Sequence, residues 1–250
     1  MDAVPTRAAG RDVADPADQV WAALETVLDP ELDEPITTLG FVESHSVDDG
    51  VARVRLRLPT FFCAPNFSYL MIADAYEAVT AVSGVGRAEV ILADHHAAEE
   101  INAGVAAGAG FVRIFEGETT AELDELRATF LTKAVVAGQD RVARPLVDAG
   151  ATPGELATMT LADAPPSPDL DRLRQRRARL GLPATDDAPL LIHADGSRVR
   201  VEEVPLHLRR ARLTRVGIET NGEYCRGLLA ARYPGNRQLG KEIPKSRILR

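Results

Sequence analysis

The sequence predicts an α+β fold: a small mixed three-stranded sheet with packed helices, followed by a helical region and a small basic α/β extension. Three observations predict it. Residues 51–58 alternate, with Ala52, Val54, Leu56 and Leu58 apolar and Arg53, Arg55 and Arg57 between them, the period of two of a half-buried strand. From Asn66 the period becomes helical, through Phe67, Leu70, Met71, Ala75, Ala78, Val79 and Val82. After Gly84, residues 87–93 alternate again. Two strands joined by a hairpin, and a third reached by a helical crossover, give the order α-β-β-α-β and a sheet with both kinds of neighbour.

The elements follow in order. A first helix fits residues 16–28, where Val20, Trp21, Leu24, Val27 and Leu28 share a face and Pro30 acts as a stop. An acidic loop follows, Asp29-Pro30-Glu31-Leu32-Asp33-Glu34-Pro35. A strand over residues 39–47 turns through Asp48-Asp49-Gly50, a hairpin signal, into the alternating strand. Residues 95–161 read mainly as helices, with capping boxes at Thr119-Thr120-Ala121-Glu122 and Thr152-Pro153-Gly154-Glu155. Ala164-Pro165-Pro166-Ser167-Pro168 is the clearest linker. Beyond it come an arginine-rich helix over 169–180 ending at Gly181, and a hairpin pairing 190–193 with 199–204 across Asp195-Gly196. Helices over 206–215 and 223–232 and an extended arm from Pro234 complete the chain. The organisation is thus a flexible N-terminus over 1–16, an α/β unit over 17–95, a helical extension over 96–163, the linker at 164–168 and a basic extension over 169–250.

Composition bounds the function. The 250 residues are 45% hydrophobic and 26% charged, ordinary for a soluble globule. Residues 1–18 contain no apolar stretch of the signal-peptide kind, and no apolar run approaches the ~18 residues of a membrane span, so a cytoplasmic protein without a membrane partner is expected. Two cysteines 162 positions apart make neither a CxxC motif nor a disulfide framework, which suits a reducing compartment. The net charge of −8 hides an asymmetry: residues 1–168 carry −16 and residues 169–250 carry +8. The basic part interleaves few aromatics and shows no nucleic-acid module, which points to docking on the acidic body or on an acidic protein instead of on nucleic acid.

Cys63 is the most informative residue. It lies in Leu58-Pro59-Thr60-Phe61-Phe62-Cys63-Ala64-Pro65-Asn66, between a strand and a helix start. A thiol there feels the unpaired amides and positive end of the helix dipole, which favour the thiolate that attacks electrophiles or binds metal. The plain alternative is packing, since free cysteines are among the most buried residue types. Thr60 and Asn66 flank it and can hydrogen-bond a thiolate or bound sulfide, or serve as turn and cap residues.

The segments Asp29-Pro30-Glu31, Pro35-Ile36, Leu39-Gly40-Phe41-Val42, Cys63-Ala64-Pro65 and Val82-Ser83-Gly84-Val85 occur in an order and spacing that resembles the SufT and PaaD group of metal-sulfur cluster assembly proteins, the MIP-eighteen-like domain. The resemblance covers roughly residues 17–95. It implies a small α/β domain that helps deliver or insert iron-sulfur clusters into client proteins, with Cys63 as the key residue and Asp29 and Glu31 near it. Many relatives carry a proline and tryptophan motif after the last strand; here that stretch reads Leu92-Ala93-Asp94-His95-His96-Ala97-Ala98-Glu99. Typical stand-alone members also lack the long C-terminal extension. Some extended relatives resemble accessory factors for soluble diiron monooxygenases, which implies a component of such an enzyme as the client metalloprotein.

The cargo chemistry follows from the donors. A cluster takes about four ligands and iron in clusters prefers thiolate, which one chain with two cysteines cannot supply. A cluster or iron on Cys63 is therefore shared across a homodimer or completed by small thiols, carboxylates or histidines, and is labile, as a carrier requires. Asp29 and Glu31 can bind a hard metal or steer a cation, or can cap a turn and face solvent. In a helix His95 and Glu99 would fall one turn apart, a spacing that suits two ligands of a two-histidine, one-carboxylate iron site. Asp94 as a helix cap followed by exposed histidines explains the same letters and is the favoured reading. Cys225, in Glu223-Tyr224-Cys225-Arg226-Gly227, reads as helix packing, and the arginines from Arg172 to Arg179 as a solvated face or a docking surface for an acidic client. An assembly and maturation factor ranks first, a metal-independent protein-binding adaptor second, and a thiol enzyme using His45, His95 or His96 as base third.

Overall fold

The alternating segments pair as the sequence predicts. The computed structural model of the chain describes residues 15–108 and 120–234. The capping box at Thr119, most of the expected flexible N-terminus and the arm past Pro234 lie outside them. Helix α1, Pro16–Leu24, starts where the Asp15 side chain accepts from the Ala17 amide and buries Val20 and Leu24. It ends short of residue 28 because the amides of Thr26 and Val27 turn back to the carbonyls of Ala23 and Leu24. Leu28 then bridges to Pro35 across the acidic loop.

Strand β1, Val42–Asp48, runs antiparallel to β2, Val51–Arg57, and the turn between them sets Asp49 and Gly50 at positive φ, as a tight hairpin requires. Helix α2, Pro65–Thr80, carries the chain over to β3, Arg87–Ala93, which pairs parallel with β2. The order β1-β2-β3 makes the predicted mixed sheet. Ala52, Val54 and Leu56 share one buried cluster with Leu24, Ile36, Phe41, Leu70, Ile72 and Leu92. The α+β class is confirmed, and the C-terminal region is helical.

Helix α3, Ala98–Ala106, follows the sheet, and α4, Thr120–Asp148, and α5, Pro153–Thr158, succeed it. The capping box at Thr152 and Glu155 forms in full. Helix α6, Pro168–Arg179, is capped by Ser167. A second buried cluster joins Val142, Leu156, Leu161, Leu173, Leu190, Leu191 and Val199. Among the described residues no helix is long and apolar enough to cross a membrane.

Two expectations for the C-terminal region are corrected. The two helices expected over 206–215 and 223–232 are one, α7, Val204–Arg232. Gly217 and Gly222 weaken helix propensity between them, but packing along α4, with Arg215 Nε 2.6 Å from Asp140 Oδ2, overrides it. The expected hairpin shrinks to a turn with a single bridge, Ile192 to Arg198, because from Val201 the chain winds into a 3-10 turn, Val201–Glu203, and on into α7. Gly196 suits that turn: its φ is +84°, and a Cβ there would meet Pro183 Cδ at 3.1 Å.

The arginine-rich helix is not a solvated face throughout. Arg177 is fully buried and donates to the carbonyls of Pro189 and Leu190 at 2.8 and 2.6 Å, and burial, with Arg174 adding, pulls its pKa down to about 10. Arg176 crosses to the acidic loop, where its Nε lies 2.6 Å from Asp33 Oδ1, with both side chains only 6% exposed. Burial pushes the Asp33 carboxyl up although Arg176 pulls it down, and Asp33 Oδ2 has no partner. This pair therefore stands or falls together. Arg176→Ala strands a buried carboxylate and is expected to cost about 3–5 kcal/mol in urea unfolding at neutral pH. A loss under about 1 kcal/mol would assign the pair to solvent.

Candidate functional site

Cys63 lies on the loop between β2 and α2, immediately before Ala64, the N-cap of α2, which makes no side-chain capping bond. Its side chain is neither entombed nor fully open. Thr60 Oγ1 stands 3.3 Å from Cys63 Sγ and also accepts the Phe62 amide at 3.2 Å, so the hydroxyl braces both the turn and the sulfur. Asn66 turns its Oδ1 to the Phe67 amide at 2.9 Å. Phe61 and Phe62 meet edge to face beside the cysteine, and Phe62 is 77% exposed.

His95 holds this loop from below. Its Nδ1 accepts the Ala97 amide at 3.1 Å, so the ring proton resides on Nε2, which donates to the Cys63 carbonyl at 2.7 Å. Burial pushes the His95 pKa down, with the Cys63 bond opposing, in keeping with a neutral ring. Here the expected helix fails. His95 precedes α3, whose N-cap is Ala97; Asp94 takes φ of +53°, and Glu99 is exposed in the first turn of α3. His95 is buried and spent on backbone, neither an exposed histidine nor one of two ligands on a helix face with Glu99. Asp94 does not cap the helix either; it receives Tyr233 Oη at 2.8 Å and Arg232 Nη2 at 2.7 Å.

Asp29 is buried, and its Oδ1 accepts the amides of Glu31 and Leu32 at 2.9 and 2.8 Å, the turn-capping role weighed for it. Burial pushes its carboxyl up to about 6, with Glu31 and Glu34 adding and the two amides opposing. Asp29 also lines an open cleft of about 750 Å³ between the acidic loop, α2 and α4. Glu31 is exposed.

Helix α7 packs on the same lobe. Gly222, Cys225, Arg226, Leu229 and Arg232 recur every three or four residues and so share one helix face. Arg226 Nη1 lies 2.8 Å from Glu34 Oε2, Leu229 joins the buried cluster of the sheet, and Arg232 donates to the carbonyls of Leu58 and Asp94 at 3.2 and 2.8 Å. Tyr233 covers Arg57, whose guanidinium sits 4.4 Å from the ring centroid; that arginine is buried and not solvated as the alternation suggested. Sequence reasoning missed this packed face, although the three-four spacing over 222–232 was a signal for it. Cys225 pays for its burial with a pKa raised to about 11; after burial itself the causes are the charges of Asp29, Cys63 and Glu31, which Arg226 opposes. Asp29 and Glu31 thus lie within electrostatic reach of Cys225. Among the described residues no three histidines, cysteines or acids stand close enough to hold one metal ion.

Residues 17–90 match the family described as iron-sulfur cluster assembly protein. The match takes in Asp29, Glu31, Cys63 and the whole path from α1 into β3, and it supports a general role in iron-sulfur assembly. No curated protein matches the chain.

Two outcomes follow from this geometry. The folded pKa of Asp29 lies above its unfolded value of 3.8, so the stabilisation of its protonated form is complete below that value and is lost as pH rises through about 6. Asp29→Asn keeps an oxygen for the two amides, and its stability relative to wild type should improve by about 1–3 kcal/mol from roughly pH 4 to pH 7 in denaturant melts. A pH-independent difference would mean a hydrated carboxylate. His95→Ala leaves the Cys63 carbonyl and the Ala97 amide without their partner and should cost about 2 kcal/mol, with faster alkylation of Cys63 as the loop loosens. Unchanged stability and alkylation would remove His95 from the support of the loop.

Proposed function

We propose that the protein is an assembly and maturation factor that holds iron, or an iron-sulfur unit, through Cys63 and passes it to a client metalloprotein. The observation that carries this reading is the half-exposed Cys63 thiol at the head of α2, inside the segment that matches the assembly family. Iron here is cargo and not a resident cofactor. Thiolate is the donor it prefers, and a single anchoring sulfur suits release. The remaining positions on the metal are filled by small thiols or by a second copy of the chain, which makes a homodimer bridged at Cys63 the loaded form of this proposal.

The C-terminal extension selects the client, and a component of a soluble diiron monooxygenase is the specific client the resemblance implies. Phe61 and Phe62, exposed beside the thiol, supply an apolar contact at the point of transfer. Delivery requires no bond-making chemistry by the protein beyond ligand exchange, so the assignment is to a carrier and not to an enzyme. His95 fits that assignment: its Nε2 is directed at the Cys63 carbonyl and not at the sulfur.

Anaerobic reconstitution with iron and sulfide is expected to give thiolate-to-iron absorption with the wild-type chain and little with Cys63→Ala, which should also fail to mature the client. Normal client maturation by Cys63→Ala, together with salt-sensitive association that needs no metal, would transfer the function to a protein-binding adaptor.

A further inference from the structure

Helix α7 has an inner and an outer face. The inner one buries Val204, Ala211, Ile218 and Leu229. Two residues on from the first three, about 200° round the helix, stand Leu206, Leu213 and Thr220, with Gly227 seven residues beyond. All four are exposed, as are Val216 and Tyr224 beside them, Leu213 to 66% and Tyr224 to 67%. A repeat of seven keeps such a stripe on one side of a helix and is the spacing by which two helices pair. Apolar side chains aligned in solvent over about six turns mark an interaction face.

The charges on the stripe identify its partner. Arg215 and Arg226 find Asp140 and Glu34 within the chain, whereas among the described residues Arg209, Arg210 and Glu223 are exposed and make no ion pair. The two arginines lie toward the start of the stripe and the acid toward its end. A second α7 laid antiparallel, with the two-fold axis between Val216 and Gly217, sets Arg209 beside the partner's Glu223 and Arg210 beside the partner's Tyr224, an ion pair and a cation-π contact. The same register brings Leu213 to the partner's Thr220 and Leu206 to the partner's Gly227, a large side chain against a smaller one each time. Space outside the helix is open where this packing needs it: a Cβ at Gly217 or Gly227 would meet nothing within 4 Å. Two-fold symmetry makes each of these contacts twice. A parallel pair would instead set each arginine beside its own copy, which like charges oppose. Nor does the chain's own tail match the arginines, since residues 235–250 carry five basic side chains and one acidic.

We propose that the outer face of α7 is a self-association surface, through which two copies of the protein pair antiparallel in an isologous contact that needs no metal. The inference goes beyond the cargo reading of Cys63 and does not rest on it. Leu229, on the inner face, joins the core of the sheet lobe, so the stripe points away from that lobe. Arg232, which reaches the Leu58 carbonyl at the start of the Cys63 loop, lies beyond the end of the stripe. The two Arg232 positions of a pair are then about 46 Å apart along the helices, which leaves the Cys63 loops at opposite ends. A metal bridge at Cys63 would join such pairs and not create them.

The test is sedimentation velocity of the full chain with chelator and reductant present, which removes metal bridges and disulfides, and with folding checked by circular dichroism. Wild type should sediment as a dimer at micromolar concentration, and Leu213→Glu as a monomer. Arg209→Glu and Glu223→Arg should each weaken the dimer at least about 10-fold, because like charges then meet at both ends of the seam. Combined in one chain, the two exchanges should restore it. Positions 209 and 223 stand about 21 Å apart on one helix, so rescue can arise only between copies. A wild type that stays monomeric, whether or not an acidic protein binds the stripe, overturns the pairing. A dimer indifferent to Leu213→Glu, or one that forms only with metal and is lost in Cys63→Ala, overturns it too and leaves the function proposed for Cys63 standing. Should Leu213→Glu not fold, the charge exchanges at exposed positions decide alone, and failure of the combined variant to recover overturns the antiparallel pair.

Discussion

The arrangement of this molecule depends on arginines of its basic C-terminal third meeting the acidic first lobe. Arg176 reaches Asp33, Arg226 reaches Glu34, and Arg232 reaches Asp94 and the Leu58 carbonyl. The opposite charges of the two parts, −16 and +8, are therefore partly satisfied within the chain. The energetic weight of these contacts is unequal. The Arg226 and Arg232 pairs are partly exposed and individually worth little, whereas the Arg176 pair is buried and costly to break. Leu229, inserted in the core of the sheet lobe, supplies apolar burial at the same interface. The polar contacts set where α7 lies; the apolar one holds it there.

That constraint bears directly on the site. Arg232 lands on the residues around Leu58 and Asp94, which adjoin the loop of Cys63, while Arg176 and Arg226 land on the acidic loop. From the other side His95 ties the backbone of Cys63 to the turn after β3. Its imidazole is consumed in positioning, which leaves the sulfur, braced by Thr60, as the partly open group of the loop. A fixed backbone beneath a partly open thiol suits a group that must meet a partner in a reproducible orientation without surrounding its cargo.

Local pattern made most of the sheet lobe legible. The alternation over 87–93 coincides with β3, and the change of period at Pro65 and Asn66 marks the start of α2, because strand and helix periodicities differ and the turn residues agree with both. Cys63 was legible for the same reason: its position relative to the helix start is a local property. Its setting was not. Position 95 reads as helix, yet the positive φ of Asp94 delays α3 and turns His95 inward to the Cys63 carbonyl, an outcome set by contacts 32 residues away. The break expected near Gly217 and Gly222 reflects intrinsic propensity, which burial against α4 and the sheet lobe outweighs. Cys225 depends wholly on tertiary placement. The stripe from Gly222 to Arg232 nevertheless marks the face on which it lies.

Satisfying charge internally also relocates the surface on which the extension can meet a partner. On α6, Arg174 bonds the carbonyls of Leu161 and Ala184 and Arg176 and Arg177 are buried in their own contacts, which leaves Arg172, paired with Asp169, and Arg179 as its exposed arginines. On α7 the opposite holds: Arg209, Arg210 and Arg212 are exposed, near the exposed Leu206, Leu213 and Val216 in sequence. An acidic partner with apolar side chains would be matched there by both charge and burial, with the charge speeding encounter and the apolar contacts slowing release.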